Sequence, residues 1–237
     1  MKRLAAILLA IGSLSAQTLR DLPGSGSMGP DDAIVIGLLG GFERWNDGNR
    51  GVRKLVLKLR ETPGVHAESL ANRNRRIALK YILRALDTNH NRKLDMQEKK
   101  HATIVLFGQS LGGAEVVALA RDLKNRGIPV RLTVQIDSFG LRDSVIPPNV
   151  QAAANFYQRE LLTFRGQDQI RPADPSKTKV VANVQFHYPP FLPSHSRPES
   201  WARRKFGGAH AKLEADPILW TQIEMLIRQT IAERRPY

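Results

Sequence analysis

The sequence predicts an α/β fold, with a mostly parallel sheet and helices on both of its faces, in one domain over residues 33–237. Short apolar, β-branched runs alternate along the chain with stretches in which apolar residues recur at helical spacing. Strands that alternate with helices pair in parallel, and the crossover helices cover both faces of the sheet. The length of 237 residues and the 42% hydrophobic content suit a single domain with a substantial core.

The first half of this domain holds two predicted pairs of a strand and a helix. Residues 33–39 form a β-branched run that ends in a Gly-Gly pair, which is typical of a buried strand that meets a tight loop. Apolar residues at helical spacing predict a helix at 52–60, and 64–68 is predicted as a short strand. Helical spacing over 72–86 predicts a second helix with an arginine-rich outer face.

The second half continues the alternation. Residues 103–107 are apolar and β-branched without interruption, which predicts a buried strand. A helix is predicted at 114–126, closed by Gly127. The remaining predicted elements are a strand at 130–136, a strand at 180–186 and a helix at 218–232.

The N-terminal residues 1–16 have the three-part order of a secretory signal peptide. Two basic residues precede the apolar run 4–11, and small residues follow up to Ala16. Cleavage after Ser15 is an alternative to cleavage after Ala16. The run is shorter than the roughly 20 residues that a membrane span needs. We therefore expect a chain exported to the periplasm or the medium, with a polar linker at 17–32 ahead of the folded domain.

The net charge indicates which partners the chain binds, and the cysteine content indicates what stabilises its fold. The formal net charge is +14, which favours anionic partners and allows peripheral contact with an anionic membrane or envelope surface. Nucleic acid is not expected, because no nucleic-acid motif and no basic stripe interleaved with aromatic residues is present. The sequence has no cysteine, so an exported form depends on its core rather than on disulfides.

The junction of the 103–107 strand with the following helix reads Gly108-Gln109-Ser110-Leu111-Gly112. A serine in a tight strand-to-helix turn lifts its hydroxyl above the sheet edge, and glycines two residues before and after it prevent backbone crowding. The N-terminus of the helix then points at the reacting centre. Ser110 is therefore a candidate nucleophile; the alternative is a small residue in a structural turn.

A nucleophilic serine needs a base and an orienting acid, which follow it in the order acid and then histidine. Asp137 comes directly after the 130–136 strand, at the sheet edge where ligands gather in such folds. A turn-forming or capping aspartate is the alternative interpretation of Asp137. Asp168 and Asp174 are rival acids, although both lie in a polar stretch.

Among the histidines, His210 is the preferred base. It is expected in a flexible Gly-Gly loop just before the C-terminal helix. The rival histidines stand in a proline-rich segment or precede the serine, and they are His187, His195, His66, His90 and His101.

An oxyanion hole requires two converging N–H groups. The N–H of Leu111 is one candidate, at the start of the helix after Ser110. The Gly40-Gly41-Phe42 turn after the first strand brings bare backbone near Ser110, which makes the N–H of Gly41 or Phe42 the second candidate. The alternative is an ordinary Gly-Gly turn.

The runs "IGLLGGF", "LFGQSLGG", "LTVQIDSFG" and "GAHAKLEADPILW" resemble α/β-hydrolases of the lipase and esterase group. The resemblance implies the α/β-hydrolase fold, with Ser110 as nucleophile, His210 as general base and then acid, Asp137 as its orienter, and the N–H groups of Leu111 and of Phe42 or Gly41 as oxyanion hole. It further implies hydrolysis of carboxylic esters or thioesters through an acyl-enzyme, with no cofactor required for the chemistry. No long insertion follows Asp137, so no large lid is implied.

A different class of function stays open beside this one. A catalytically weak or inactive protein on a hydrolase scaffold, bound to an anionic envelope surface, also fits the +14 charge.

The last motif is a polar stretch, residues 87–98, between the 72–86 helix and the 103–107 strand. Its oxygen ligands recur at the spacing of an EF-hand calcium loop, which it resembles. Arg92 replaces the glycine of the sharp turn, and little room remains for a second helix. A polar turn capped by Asp95 is the alternative to a structural Ca²⁺ site. The predicted calcium ligands are Asp87, Asn89, Asn91, the carbonyl of Lys93, Asp95 and Glu98.

Overall fold

A computed structural model describes residues 17–22, 28–29, 31–41, 43–100, 102–159, 166–188 and 208–233. Within these ranges the strands are β1 (Ala33–Leu39), β2 (Val65–Ala71), β3 (Thr103–Gln109), β4 (Val130–Ile136), β5 (Val145–Ile146), β6 (Val150–Tyr157), β7 (Arg171–Pro172) and β8 (Lys179–Gln185). The helices are α1 (Gly51–Arg60), α2 (Arg75–Leu86), α3 (Leu111–Lys124), α4 (Gly208–Ala215) and α5 (Pro217–Ala232).

Six strands form one sheet in the order β2-β1-β3-β4-β6-β8, and each neighbouring pair is parallel. The short strands β5 and β7 pair separately. Because all six strands of the main sheet point the same way, their carboxyl ends share one edge, and β3 ends there between β1 and β4. This topology, with helices on both faces and a serine turn after an inner strand, confirms the predicted α/β-hydrolase fold.

Two apolar cores cover the two faces of the sheet. β1 sends Ile34, Ile36 and Leu38 into a core shared with α2 and α3, and it sends Val35 and Leu39 into a core shared with α1 and α5. All five side chains are fully buried. An inner strand that is buried on both faces has a continuous apolar sequence, which is why β1 is recognisable from its residues alone.

The structure differs from the prediction at two helix starts and in three strands, β5, β6 and β7, that the sequence does not predict. The helix predicted from residue 72 begins at Arg75, after a 3-10 turn, and the helix predicted from residue 114 begins at Leu111, directly after Ser110. β6 is not among the predicted strands. Its sequence, VQAAANFY, carries three alanines in place of β-branched residues, so its strand conformation depends on pairing with β4 and β8.

The described part of the segment predicted as a linker packs on the domain. Gln17, Leu22 and Met28 are each about 95% buried or more. The side-chain amide of Gln17 donates to the carbonyl of Ser69 at 2.9 Å and accepts from the N–H of Ala71 at 3.4 Å, at the end of β2. The predicted signal peptide lies outside the described residues. No described helix has the length and apolar character that crossing a membrane requires.

Candidate functional site

Ser110 stands between β3 and α3, with a backbone φ of 55° and ψ of −125°. A non-glycine residue with positive φ is strained, and such strain clusters at active sites. The backbone N–H of Ser110 donates to the carbonyl of Ile136 at 2.8 Å, and its own carbonyl accepts from the N–H of Gly113 at 3.0 Å. These contacts hold the half-buried serine at the carboxyl edge of the sheet, in the conformation of a nucleophile elbow.

The two glycines that flank Ser110 lie against backbone. A Cβ atom on Gly112 would approach the carbonyl oxygen of Leu38 to 2.1 Å, and one on Gly108 would approach the carbonyl oxygen of Gly112 to 2.5 Å. Real side chains do not tolerate such distances from main-chain atoms. The spacing of the glycines is therefore what lets α3 start against β1 and β3.

The first candidate oxyanion donor is the N–H of Leu111, the first residue of α3. The first N–H groups of an α-helix have no partner within the helix, and the helix dipole makes them favourable toward negative charge. The loop after β1 reaches this point, because a Cβ atom on Gly41 would lie 2.8 Å from Cδ1 of Leu111. The structure thus brings Gly41 and Leu111 together; Phe42 lies outside the described residues.

The candidate acid, Asp137, follows β4 and is 1% exposed. Its backbone φ is 44°, the second strained residue at this edge. Two contacts fix its loop on the elbow. The N–H of Phe139 donates to the carbonyl of Ser110 at 3.2 Å, and a Cβ atom on Gly113 would lie 2.8 Å from Cβ of Ser138. The loop at residues 137–143, called the acid loop below, and the elbow therefore form one packed unit.

Three side chains that the sequence did not single out hold this loop. The Gln158 amide donates to Oδ2 of Asp137 at 3.1 Å. Asp143, a second carboxylate that is fully buried, accepts from Oγ of Ser138 at 2.6 Å and from Nε2 of Gln167 at 2.7 Å. No spacing rule marks Gln158, Asp143 or Gln167 as functional, because each reaches the acid loop through tertiary contacts.

The rival acids have other roles. Asp168 is exposed and forms an ion pair with Arg159 at 3.1 Å. Asp174 accepts from the hydroxyl of Ser176 at 2.6 Å and from its N–H at 3.0 Å, and these hydrogen bonds lower the pKa of Asp174. Both are polar surface groups. Of the three candidate acids, Asp137 is therefore the one whose loop packs on the elbow.

The prediction of a flexible loop around His210 is wrong. Residues 208–215 form helix α4, and His210 belongs to its first turn. The physical reason is that Ala, Lys, Leu and Glu are strong helix formers, which outweigh the Gly-Gly pair at the start of the segment. The side chain of His210 lies outside the part of the chain that the structure describes. The site geometry therefore includes no distance from His210 to Ser110 or Asp137.

The position of α4 is nevertheless defined by its other residues. Oε1 of Glu214 accepts from the N–H of Gly51, the first residue of α1, at 2.8 Å, and Leu213 is fully buried in the core next to α1 and α5. Since α1 starts from the loop after β1, its N-terminus lies near the carboxyl edge of the sheet. The structure therefore brings α4 to the edge that holds Ser110 and Asp137.

The structure describes three of the rival histidines, and none of the three is close to Ser110 in the described contacts. His66 contacts Asp32 at 2.8 Å at the start of β1 and β2, the edge opposite Ser110. His187 is exposed beside Gln185, and His90 is exposed in the 87–98 loop. The rivals His195 and His101 lie outside the described residues.

The 87–98 loop is wound by its own side chains. Asp87, Asn89 and Asn91 each accept a hydrogen bond from a backbone N–H further along the loop, at 2.9, 2.9 and 2.7 Å. Asp95 accepts from the N–H groups of Gln97 and Glu98 at 2.7 and 2.8 Å, so it caps the following turn as the alternative interpretation expected.

Glu98 closes this loop from inside. It is 4% exposed and accepts from the N–H groups of Asp95, Asn89 and Thr88 at 3.0–3.2 Å, and hydrogen bonds from these residues, that of Asp95 foremost, lower the pKa of Glu98. Arg92 takes the glycine position of the motif with φ 63°. Over the described residues, no three side chains of His, Cys, Asp or Glu converge as a metal site. The carbonyl ligand expected from Lys93 and the calcium site as a whole stay predictions.

Comparison with known proteins gives low similarity throughout. A cutinase-like protein from Cryptococcus sp. is 14% identical, with 88% of this chain and 98% of that chain covered and a TM-score of 0.44. Est1E from Butyrivibrio proteoclasticus is 13% identical, with 90% and 93% covered and a TM-score of 0.39, and an acetyl xylan esterase is 13% identical, with 84% and 99% covered and a TM-score of 0.37. No protein-family model and no curated protein sequence matches the chain. The fold assignment accordingly rests on the strand order and the elbow of this chain.

Proposed function

We propose that the protein is an exported serine hydrolase that cleaves carboxylic esters or thioesters through an acyl-enzyme. The observation that carries this proposal is Ser110, a strained residue between β3 and α3 whose carbonyl accepts a hydrogen bond from the loop of the buried Asp137. Strained backbone is retained where surrounding structure enforces it, and here glycine packing and buried hydrogen bonds do so.

In the proposed reaction, Oγ of Ser110 attacks the acyl carbon while His210 takes the hydroxyl proton. The oxyanion is held by the N–H of Leu111 and by that of Gly41 or Phe42. Collapse of the tetrahedral intermediate expels the alcohol or thiol, which receives the proton from His210, and leaves an ester on Ser110. A water molecule that gives a proton to His210 then attacks this ester. Collapse of the second tetrahedral intermediate releases the acid, and His210 returns the proton to Oγ of Ser110.

The electrostatics of the edge support these roles. Preorganised donors at an oxyanion site each contribute about 10²- to 10³-fold in rate, and the N-terminus of α3 supplies such a donor without reorganisation. Asp137 would orient the histidine and stabilise its charged form, which requires a carboxylate that is held in a fixed direction. Its burial and its contacts with Gln158 meet that requirement.

The test is covalent labelling with a fluorophosphonate probe, together with hydrolysis of activated esters of graded acyl length. Ser110→Ala should abolish both signals. Ser176→Ala is the matched control, because its hydroxyl is bound to the surface group Asp174, and it should label like the wild type. Labelling of Ser110→Ala at the wild-type level contradicts the proposal.

Export is part of the same proposal and has its own readout. Expression of the full chain in a Gram-negative host, followed by mass determination of the protein in the periplasm and the medium, should give a mature form that starts at Gln17 or at Ala16. An intact N-terminus confined to the cytoplasm contradicts export and leaves the hydrolase assignment untouched.

A second candidate function, attachment to an anionic surface, is favoured by one cleft. This basic cleft, with a volume of about 900 Å³, lies between the end of α2, the 87–98 loop and the end of α3, at the sheet edge opposite Ser110. Its cationic side chains are Arg84, Arg92, Lys99 and Arg126, against the single carboxylate of Asp87. None of Arg84, Arg92 and Lys99 has an ion-pair partner within the described chain.

Vesicle sedimentation tests this attachment. Vesicles that contain phosphatidylglycerol should bind the wild type at about 0.05 M salt and release it at about 0.5 M, because screening weakens exposed charge pairs. A double Arg84→Glu, Arg126→Glu variant should lose binding at least tenfold more than a double Arg73→Glu, Arg76→Glu variant. The control has the same net charge change at the start of α2. Equal loss in both variants would indicate a diffuse basic surface in place of the cleft.

A structural Ca²⁺ ion at the 87–98 loop is the third part of the proposal. Two observations support it: Leu94 packs against the core that contains α2 and α3, and Oδ1 of Asp87 is buried without a hydrogen-bond partner within the described structure. The chemistry of the donor set suits a hard cation with oxygen ligands. The role of the ion would be to stiffen the connection from α2 to β3.

A further inference from the structure

Gln158 is placed beside Asp137 by the register of the sheet. β4 and β6 are parallel neighbours in which Ile136 pairs with Phe156, so Asp137 and Gln158 leave the sheet side by side at its carboxyl edge. Gln158 is fully buried and Asp137 is 1% exposed. The two residues are therefore shielded from solvent together, although they are 21 positions apart in sequence.

Gln158 supplies a donor to each oxygen of the Asp137 carboxylate. Its side-chain Nε2 donates to Oδ2 at 3.1 Å, and its backbone N–H donates to Oδ1 at 3.3 Å. The backbone N–H of Asp137 in turn donates to the carbonyl of Phe156 at 2.7 Å. The carboxylate is thus tied at both oxygens to the end of one strand, which fixes the plane of the group.

Gly166 closes the space on the other side of the same carboxylate. A Cβ atom on Gly166 would come to 2.2 Å from Oδ1 of Asp137 and to 2.9 Å from its Cα. The next residue, Gln167, donates its backbone N–H to the carbonyl of Ser138 at 3.0 Å. Segment 166–167 therefore packs directly on the acid loop, and only a glycine at position 166 leaves room for the Asp137 carboxylate where it lies.

The kind of donor matters for a buried acid. A buried carboxylate is costly unless its oxygens accept hydrogen bonds, and donors to the charged form favour that form. A glutamine amide donates without carrying a charge, so it orients the carboxylate and adds no second charge beside an adjacent imidazolium. A glutamate at position 158 would place a second negative charge against the first, and the pair would share a proton at low pH.

We propose that Gln158 is a positioning residue that holds the Asp137 carboxylate in the direction its partner histidine requires. The inference rests on the proposed function, because Asp137 has a histidine to orient only if the chain is a serine hydrolase. Two charged side chains that the structure describes on the neighbouring segments have other partners. Asp143 is bound by Ser138 and Gln167, and Arg159 pairs with Asp168.

The experiment compares Gln158→Glu and Gln158→Met with the wild type, measuring kcat and KM for an activated ester across the range from about pH 5 to about pH 9. Gln158→Met removes the amide donor at every pH, so kcat should fall about tenfold to a hundredfold at all pH values, with KM little changed. The kcat of each variant is divided by the kcat of the wild type at the same pH, and this ratio cancels the pH dependence that comes from the histidine itself.

Gln158→Glu should give a different profile. At the acid end the introduced carboxyl group carries the shared proton and donates its O–H to Asp137, so the kcat ratio to wild type should be highest there. The ratio should fall at least tenfold as the pH rises and the shared proton leaves, because two like charges then face each other. A merely structural role would not produce this dependence in the ratio.

Gln229→Glu is the matched control. It makes the same amide-to-carboxylate change against a carboxylate, because Nε2 of Gln229 donates to Oε1 of Glu233 at 2.8 Å, and it lies in α5, away from the acid loop. Its kcat ratio should stay constant with pH, while thermal unfolding followed by circular dichroism reports the stability of both glutamate variants. If Gln158→Glu does not fold at high pH, the kcat and KM values of Gln158→Met decide the question.

The outcomes separate the two levels of the proposal. Ser110-dependent turnover in the wild type, with a pH-independent ratio for Gln158→Glu or wild-type kcat for Gln158→Met, overturns the positioning role alone. The same pH-dependent fall in Gln229→Glu also overturns it. Wild-type protein without any Ser110-dependent turnover overturns the proposed function, and the inference with it.

Discussion

Two regions of the described chain, the carboxyl edge of the sheet and the 87–98 loop, carry strained backbone, and different kinds of contact hold that strain. At the carboxyl edge, Ser110 and Asp137 have positive φ values of 55° and 44°. In the 87–98 loop, His90 and Arg92 have values of 58° and 63°. All four are residue types for which this conformation is unfavourable, since none is a glycine.

The carboxyl edge is strained by contacts between distant segments. Ser110 is held by β4 and by the acid loop, and Asp137 is held by Gln158 and closed in by Gly166. The loop is strained by contacts within twelve residues, mostly from its own side chains to its own N–H groups. Backbone strain that several distant segments impose has a free-energy cost, and such strain is typically retained at functional sites. A polar turn held by its own side chains forms without any functional requirement. The comparison therefore favours chemistry at the edge and a structural role for the loop.

The largest expected effect tests the acid at the edge. Asp137→Asn should lower kcat by about 10⁴-fold with the fold intact, because a mis-set histidine tautomer has a cost of that order. Steady-state kinetics of the ester, with circular dichroism as a check on folding, measure it. Asp174→Asn removes the same charge from a surface turn and should leave kcat near the wild-type value. A large loss in Asp174→Asn would move the acid to a later strand.

The next effect tests the packing that strains Ser110. Gly112→Ala places a Cβ atom 2.1 Å from the Leu38 carbonyl oxygen, and it should destabilise the protein by about 3 kcal/mol through overpacking. Urea denaturation gives the value. Gly48→Ala is the control, because nothing lies within 4 Å of its added Cβ atom. A Gly112→Ala protein as stable as the control would mean that α3 can shift freely.

A smaller effect tests the loop as a cation site. With a Kd of about 1 mM, calcium at about 10 mM should stabilise the wild type by about 1.4 kcal/mol, which raises Tm by about 3–5 °C in a chain of this size. The double Asp87→Ala, Glu98→Ala variant should show no calcium-dependent shift, and magnesium should replace calcium poorly. Equal shifts in both proteins, or none in either, exclude the site.

The smallest effect tests the strain of the loop itself. Arg92→Gly should stabilise the protein by up to about 1 kcal/mol, since glycine adopts φ 63° without the cost that a side chain carries there. The gain is limited by the extra freedom of glycine in the unfolded chain. Differential scanning calorimetry with and without calcium measures it. A destabilised Arg92→Gly would indicate that the arginine side chain supports the loop.

Much of the fold is predictable because its signals are local. An inner parallel strand is apolar along its whole length, and a helix repeats at 3.6 residues, so the sequence predicts β1, β3, β4 and the main helices within a few residues. The elbow is predictable for the same reason, since its glycines must flank Ser110 within one turn. β6 escapes prediction because its alanines give no such local signal.

By itself, then, the sequence determined the class of fold, the elbow around Ser110 and Asp137 as the residue that follows β4. Only the tertiary structure decided what surrounds that acid. The register of β4 on β6 sets Gln158 against it, Gly166 bounds it, and Asp143 ties down its loop. It also decided that His210 belongs to a helix at the same edge. These contacts join residues far apart in the chain, and the free energy that selects them comes from burial and hydrogen bonding across the sheet, which no local pattern of residues encodes.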